Sequence, residues 1–136
     1  MITDTARSPY AVLTTIPYKD VSWTGGLYKE RFDTVAAVTV PHLQRMFEEK
    51  DISHVVENFR IAAGETEGDF AGTVFGDGDF YKWFEAAVYT AVKTGNEKLL
   101  SQLEAYIALF ARSSASISCS SVIAPLKSTV TSFSPM

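Results

Sequence analysis

Apolar residues recur at helical spacing along most of the chain after the first 26 residues. Between Leu27 and Lys50 they lie three or four positions apart, which is the period of an α-helix with one buried face. Pro41 lies inside this segment, and proline lacks the N–H that an interior helical residue donates. We therefore expect a helix over residues 27–49 with a defect near residues 39–41.

The most unusual stretch of the chain is VFGDGDFYKWFEAAVYTAV. From residue 80 to about residue 93 its apolar residues occupy most sides of a helix, which is typical of an interior helix, and Asp79 is placed to cap it. Gly95 and Asn96 can end this helix and start another. Over residues 97–112 the apolar residues form one stripe, so we expect an outer helix packed on the inner one, that is, a helical hairpin.

The segments outside these helices show other patterns. Residues 1–26 combine β-branched and aromatic residues with an internal proline, which predicts an irregular arm or a short edge strand wrapped on a helical body. Residues 51–72 hold a short apolar piece followed by three glycines, and we expect a loop there. Residues 113–136 are rich in serine, nearly free of charge and without period, so we expect a poorly ordered tail.

Composition narrows the classes of function. The chain has 136 residues and a net charge of -4, enough for one modest domain and unsuited to a broad nucleic-acid surface. It has no apolar run approaching the roughly 18 residues of a membrane span. It also shows no charged segment leading into an apolar one, as a secretory signal would. The default expectation is a cytoplasmic protein without nucleic-acid or membrane partners.

Single residues suggest little chemistry. Cys119 and the two histidines, His42 and His54, are too few and too far apart for a zinc site, which typically takes four ligands. The acidic pairs Glu48–Glu49 and Glu65–Glu67 are expected to be solvated surface charge. The sequence GDGD lacks the further ligands of an EF-hand loop. The residues alone therefore identify no catalytic residue and no metal ligand.

Three motifs follow one another in the middle of the chain: NFRIAAG, then F.G..F.D.D.YKW.E, then a hairpin ending in I.L.A. Over residues 16–112 the chain with these motifs resembles glycoside hydrolase family 127, the β-L-arabinofuranosidase family. The resemblance implies a mainly α fold, the N-terminal fragment of an (α/α)6 barrel built from helical hairpins. It divides the chain into an arm (1–26), a partial barrel domain (27–112) and an unmatched tail (113–136).

The resemblance also states what this chain is expected to lack. Family members use a cysteine nucleophile, held with other cysteines and a glutamate around zinc, and a further glutamate as acid/base. These residues belong to later parts of the barrel, so the resemblance assigns no catalytic residue, metal ligand or cofactor here, and zinc belongs to the complete domain. Cys119 lies in the unmatched tail and is not read as the nucleophile. Where the family continues with QQ.DGY, this chain reads ARSSASISC, and we expect a truncated product.

The resemblance offers one group of candidate binding residues. In an (α/α)6 barrel the loops at one end of the inner helices line the substrate cleft. Sugar contacts are therefore expected among the residues at the start of the inner helix: Asp77, Asp79, Tyr81 and Trp83. The structural alternative is that Asp79 caps the helix, Lys82 pairs with Glu85 and the aromatic side chains, Trp83 above all, are buried.

Two functions remain open from the sequence. The first is an N-terminal fragment of a β-L-arabinofuranosidase-like hydrolase, inactive alone, whose complete domain acts on L-arabinofuranosides. The alternative is a small helical protein–protein interaction module without catalysis, in which a partner chain covers the exposed inner helix.

Overall fold

The computed structural model describes residues 8–13 and 16–116, and within these ranges the chain is helical with no β-strand. Five α-helices follow a short 3₁₀ turn, and a π-helical segment joins the first two. The 3₁₀ turn is Tyr18–Asp20, the helices are α1 Gly26–Thr34, α2 Val40–Glu48, α3 Val55–Ala62, α4 Gly76–Thr94 and α5 Glu97–Ser116, and the π-helical segment is Val35–Thr39. The mainly α fold predicted from the sequence is confirmed.

The first long helix contains the predicted defect. Helices α1 and α2 form one run with the π-helical segment between them, which ends two residues before Pro41. The Val40 N–H donates to the carbonyl of Val35, five residues back. Because Pro41 has no N–H and its ring crowds the preceding turn, the wider π turn lets the run continue through the proline.

Helix α3 departs from the sequence prediction, which places a loop at this point. Its residues Val55 and Val56 are buried, and the helix packs along α5. Eight residues with three β-branched side chains have little helicity of their own. Packing on α5 therefore stabilises this helix, and a local pattern cannot reveal it.

The loop between α3 and α4 agrees with the prediction. Gly64 and Gly72 have φ angles of 72° and 92°, in the region that favours glycine. At Gly72 a Cβ would also lie 2.8 Å from the carbonyl oxygen of Ser53. The loop therefore needs glycine at residue 72 both for its backbone angle and for its close approach to the turn before α3.

Helix α4 begins earlier than predicted, so Asp79 is not its cap. The helix starts at Gly76 after Phe75, and the Asp79 N–H donates to the Phe75 carbonyl. Gly76 is buried, and a Cβ there would lie 2.8 Å from Cγ2 of Val55. Glycine is a poor helix former, but here it lets the first turn lie directly on α3. Asp79 still stabilises this turn, because a carboxylate near a helix N-terminus interacts favourably with the helix dipole.

The core lies between α4 and the helices around it. One face of α4 is buried against α2, α3 and α5, whereas Glu85 and Ala86 on another face are exposed, so α4 is interior on one side in this chain. The predicted hairpin is confirmed: Gly95 takes the left-handed conformation, and the Leu99 N–H donates to Oδ1 of Asn96 over 3.0 Å. The buried core residues are Val40, Val55, Val56, Phe80, Trp83, Ala87, Ala91, Leu99, Leu103, Tyr106 and Leu109.

The later part of the N-terminal arm, with Tyr18 and Trp23, packs on the helical body, whereas Tyr10, Val12 and Leu13 are exposed. The Tyr18 ring lies 5.3 Å from that of Tyr89, and the Trp23 ring lies 5.1 Å from that of Phe32. The Lys93 ammonium is 5.2 Å from the Tyr18 ring and donates to the Tyr18 carbonyl over 3.2 Å. Cation–π and hydrogen-bond contacts therefore fasten the arm to the last turn of α4.

The tail begins later than the sequence predicts. Helix α5 continues to Ser116, and Ser113 is buried with its hydroxyl donating to the Phe110 carbonyl over 3.0 Å. Serines at the end of a long helix can bond to the preceding turn, which explains why the change in composition does not end the helix. The predicted disorder of the remaining tail concerns residues 117–136, outside the described residues.

A buried carboxylate predicts how stability depends on pH. The side chain of Glu57 is 5% exposed and lies 2.5 Å from Nζ of Lys50 and 3.4 Å from Nη1 of Arg60. The hydrogen bond from Lys50, then its charge and the bond from Arg60, outweigh burial and lower the pKa of Glu57 below 4.5. A lowered folded-state pKa adds stability above the unfolded value, and this is lost as pH falls through the folded value.

Glu57→Gln is therefore expected to unfold at lower urea concentration than the wild type at pH 7. The difference should shrink as pH falls below about 4.5, because the wild-type carboxylate then also loses its charge. Urea unfolding between pH 7 and pH 2.5 measures this, and Glu104→Gln, on the exposed side of α5, is the control. A difference that stays constant over this range would contradict the assignment.

Candidate functional site at the start of helix α4

The candidate binding residues lie on the first turns of α4, and the structure divides them by exposure. Asp77 and Asp79 are exposed, and Tyr81 is 47% exposed. Trp83 is 4% exposed. Helix α4 therefore presents two carboxylates and a phenol to solvent and directs the indole into the core.

Tyr81 combines an aromatic wall with a hydrogen-bonding hydroxyl. Its ring packs against those of Phe59 and Phe110, at 5.9 Å and 5.4 Å between centroids. Burial and, to a smaller extent, the charge of Asp77 raise the pKa of Tyr81 above 10.0. The phenol therefore stays protonated near neutral pH and can donate, while the Asp77 carboxylate can accept. Such a donor and acceptor together suit a ligand with several hydroxyl groups.

Asp79 forms an ion pair with Lys82, the lysine that the sequence paired with Glu85. Lys82 Nζ lies 2.9 Å from Asp79 Oδ1, so Lys82 pairs with Asp79 rather than with Glu85. The Lys82 side chain is 80% exposed and the Asp79 side chain 50%. An exposed pair of this kind contributes about 0–1 kcal/mol, so a ligand could displace the lysine at little cost.

A cleft of about 230 Å³ lies beside Asp79. The turn before α3 and the end of the loop before α4 form its walls, with Phe47, Ser53 and Thr73 among its lining residues. A larger, open groove of about 550 Å³ runs between Phe32 and Thr90 near the other end of α4 and contains none of the candidate residues. The smaller cleft offers hydroxyls, a carboxylate and an aromatic ring, the groups that commonly bind small polar ligands.

Trp83 supports the site from behind. Its Nε1–H donates to the Val40 carbonyl over 3.0 Å, and its ring lies 5.1 Å from that of Phe80 and 5.9 Å from that of Tyr106. The prediction that Trp83 is largely buried is confirmed. In this structure the indole offers no open face on which a sugar could stack.

Sequence reasoning missed the contact that holds the loop beside the cleft. The side-chain amide of Asn58 bonds to the backbone of Ala71, thirteen residues later, by donating to its carbonyl and accepting from its N–H. His54, considered from the sequence only as a weak metal ligand, lies with Nδ1 2.9 Å from Oδ1 of Asn58. In the sequence, Asn58 stands out only as a polar residue within an apolar segment, and this does not show what its side chain contacts.

The described donors do not fit a zinc–cysteine centre. Within residues 8–13 and 16–116 no three histidine, cysteine, aspartate or glutamate side chains come together as a metal site. His42 accepts from Arg45 over 3.0 Å, Glu48 accepts from the Tyr106 hydroxyl, and Glu65 pairs with Arg112 at 2.6 Å. Cys119 lies outside the described residues. In the same part of the chain no helix is long and apolar enough to cross a bilayer.

The sequence was compared with protein families and with characterised proteins, and both comparisons point to one family. The family model for the β-L-arabinofuranosidase, GH127 catalytic domain matches residues 20–115. The non-reducing end β-L-arabinofuranosidase of Bifidobacterium longum subsp. longum is 33% identical over 106 residues, which are 78% of this chain. The match spans 15% of that relative's length. Because the family model covers more than two thirds of the chain, this protein belongs to the GH127 β-L-arabinofuranosidase family and carries part of its catalytic domain.

Proposed function

We propose that this chain is part of the catalytic domain of a β-L-arabinofuranosidase-like hydrolase and does not hydrolyse glycosides by itself. The match of the catalytic-domain model to residues 20–115 carries this proposal. The relative from B. longum is named for activity on β-L-arabinofuranosides, which suggests this substrate class for the complete domain.

We propose that the chain contributes sugar contacts at the start of α4. Asp77 would accept hydrogen bonds from sugar hydroxyls, and the Tyr81 phenol would donate one and offer its ring edge. Asp79 would accept a hydrogen bond from a ligand in the adjoining cleft once its ion pair with Lys82 is broken. Trp83, hydrogen-bonded to Val40, would hold the helix in place rather than touch the sugar. The exposure of the first three side chains and the burial of the fourth support this division.

We assign the nucleophilic step to other parts of the family domain. In the complete domain a zinc-held cysteine would supply the ionised nucleophile that glycoside cleavage needs. The described residues of this chain do not fit that centre, so no catalytic step is assigned to them.

The remaining surface suggests how the chain joins the rest of a domain. The outer side of the first long helix exposes large apolar residues, with Leu27 at 61%, Tyr28 at 75% and Val38 at 60%. Exposed apolar surface of this kind is usually covered by another element. We propose that further helices of the family domain, in the same chain or a partner chain, cover it and the open side of α4.

The activity prediction has two parts. The purified chain is expected to show no hydrolysis of p-nitrophenyl β-L-arabinofuranoside. The B. longum enzyme in which residues 20–115 of this chain replace the matched segment, here called the graft, is expected to hydrolyse it.

Zinc content and melting temperature, measured alongside turnover, show whether the graft is folded. A graft that binds zinc and melts like its parent but has no turnover would overturn the proposed function. Turnover by the purified chain that disappears in Cys119→Ser would overturn its first part.

A further inference from the structure

The loop before α4 is not held in place by burial. Its large apolar side chains point to solvent, with Phe70 at 67%, Val74 at 99% and Phe75 at 62% exposure. Several of its glycines have positive φ angles, as shown for Gly64 and Gly72. A loop with few buried contacts has low local stability, so its position depends on the polar contacts that it makes.

Asn58 makes the central contact of this kind. Nδ2 of Asn58 donates to the Ala71 carbonyl over 2.8 Å, and the Ala71 N–H donates to Oδ1 of Asn58 over 3.1 Å. The Asn58 side chain thus bonds to both the N–H and the C=O of Ala71, as the backbone of an adjacent β-strand would. Both bonds form together, so they restrict the direction of the loop as well as its distance from α3.

His54 adds a third hydrogen bond to the Asn58 amide. Because Oδ1 of Asn58 already accepts from Ala71, the His54 Nδ1 at 2.9 Å must carry a hydrogen and donate to it. Nδ1 of His54 can carry this hydrogen whether or not the ring is charged, so the bond to Asn58 forms in either case. With Nδ2 of Asn58 engaged by the Ala71 carbonyl, the alternative orientation of the amide is disfavoured.

The loop also approaches the same end of α3 closely beyond Ala71. Gly72 lies against the Ser53 carbonyl and Gly76 against the Val55 side chain, at distances that leave no room for a Cβ. Between them, Thr73 lines the cleft beside Asp79. Asn58 therefore anchors the loop immediately before the residues that form one wall of the cleft.

We propose that Asn58, which also bonds to His54, is a positioning residue that sets the loop wall of this cleft for sugar binding. The anchoring itself follows from the hydrogen bonds, whereas its use for a sugar rests on the function proposed above. The two parts are tested separately, in the isolated chain and in the graft.

The first test is amide hydrogen exchange in the 136-residue chain. Asn58→Leu keeps the branched shape of the side chain and removes both hydrogen bonds. The Ala71 amide is expected to exchange at least about fivefold faster, relative to the Leu103 amide in the core of α5. Gln102→Leu, the same change at an exposed position on α5, is expected to leave this ratio unchanged.

Asn58→Ala is the second variant, because it also removes both hydrogen bonds and adds no bulk at this part-buried position. It carries the test if Asn58→Leu does not fold, and it is also expected to raise the ratio. An unchanged ratio in whichever variant folds would overturn the anchoring. It would show that Asn58 only fills space.

The second test measures kinetics in the graft. Asn58→Leu is expected to raise KM for p-nitrophenyl β-L-arabinofuranoside about threefold or more, with a smaller change in kcat and an unchanged melting temperature. Faster exchange of the Ala71 amide together with an unchanged KM would overturn the positioning role. If the folded graft is inactive with Asn58 present, the proposed function fails, and the exchange result still decides the anchoring.

Discussion

Replacing Phe80 with alanine is expected to lower the free energy of unfolding of this chain by about 3–5 kcal/mol. Phe80 is 0% exposed, and its ring lies 5.2 Å from that of Phe47, 5.3 Å from that of Tyr106 and 5.8 Å from that of Phe59. These rings belong to α2, α5 and α3. Removing Phe80 leaves a cavity where all the helices around α4 meet, and no single helix can close it by moving.

Phe84 provides a matched control one turn further along α4. It is half-buried, and its ring meets that of Phe110 at 5.7 Å. Because less of its surface leaves water on folding, Phe84→Ala is expected to cost about 1–2 kcal/mol. Urea unfolding of the wild type, Phe80→Ala and Phe84→Ala measures the two losses of unfolding free energy. If Phe80→Ala does not fold, Phe80→Leu takes its place. Equal losses at the two positions would contradict the central place of Phe80.

Trp83→Ala is expected to destabilise the protein by a similar amount, about 3–5 kcal/mol, through lost burial and lost contacts with the surrounding rings. It also leaves the Val40 carbonyl without the indole N–H that lies 3.0 Å away. Trp83→Phe keeps much of the ring and removes this donor, so it is expected to cost less, with about 1 kcal/mol due to the hydrogen bond. Urea unfolding of both variants separates packing from hydrogen bonding.

The same substitution decides whether Trp83 belongs to the sugar site. In the graft, Trp83→Ala is expected to lower the melting temperature clearly, because the indole is part of the core. A sugar-stacking tryptophan would instead raise KM and leave the melting temperature nearly unchanged. That second result would show that the aromatic run contacts substrate and that its burial in this chain is misleading about the complete domain.

Features that depend on one or two neighbouring residues could be predicted from the sequence. The helix defect follows from the missing N–H of Pro41, and the hairpin follows from Gly95 and Asn96, whose conformations and caps are local properties. The interior position of Trp83 also follows from its spacing with other apolar residues. The motifs between residues 58 and 111 carried the family assignment, which the comparisons confirm.

Features that depend on a choice between partners could not be predicted. Lys82 has carboxylates three residues away on both sides, and the structure selects Asp79 over Glu85. The spacing is equal, so no pattern distinguishes them. In the same way, Asn58 could have faced solvent, and its pairing with Ala71 depends on how the loop returns to α3.

The sequence by itself determined the helical class, the α4–α5 hairpin and the family, because periodicity and short motifs express local conformation and descent. The tertiary structure decided where α3 and α4 begin and which candidate residues reach solvent. Asp77, Tyr81 and Trp83 lie within two turns of one helix, yet only the packing of α2, α3 and α5 around it decides which side faces water. Burial is a property of all the surrounding elements together, and no segment contains that information alone.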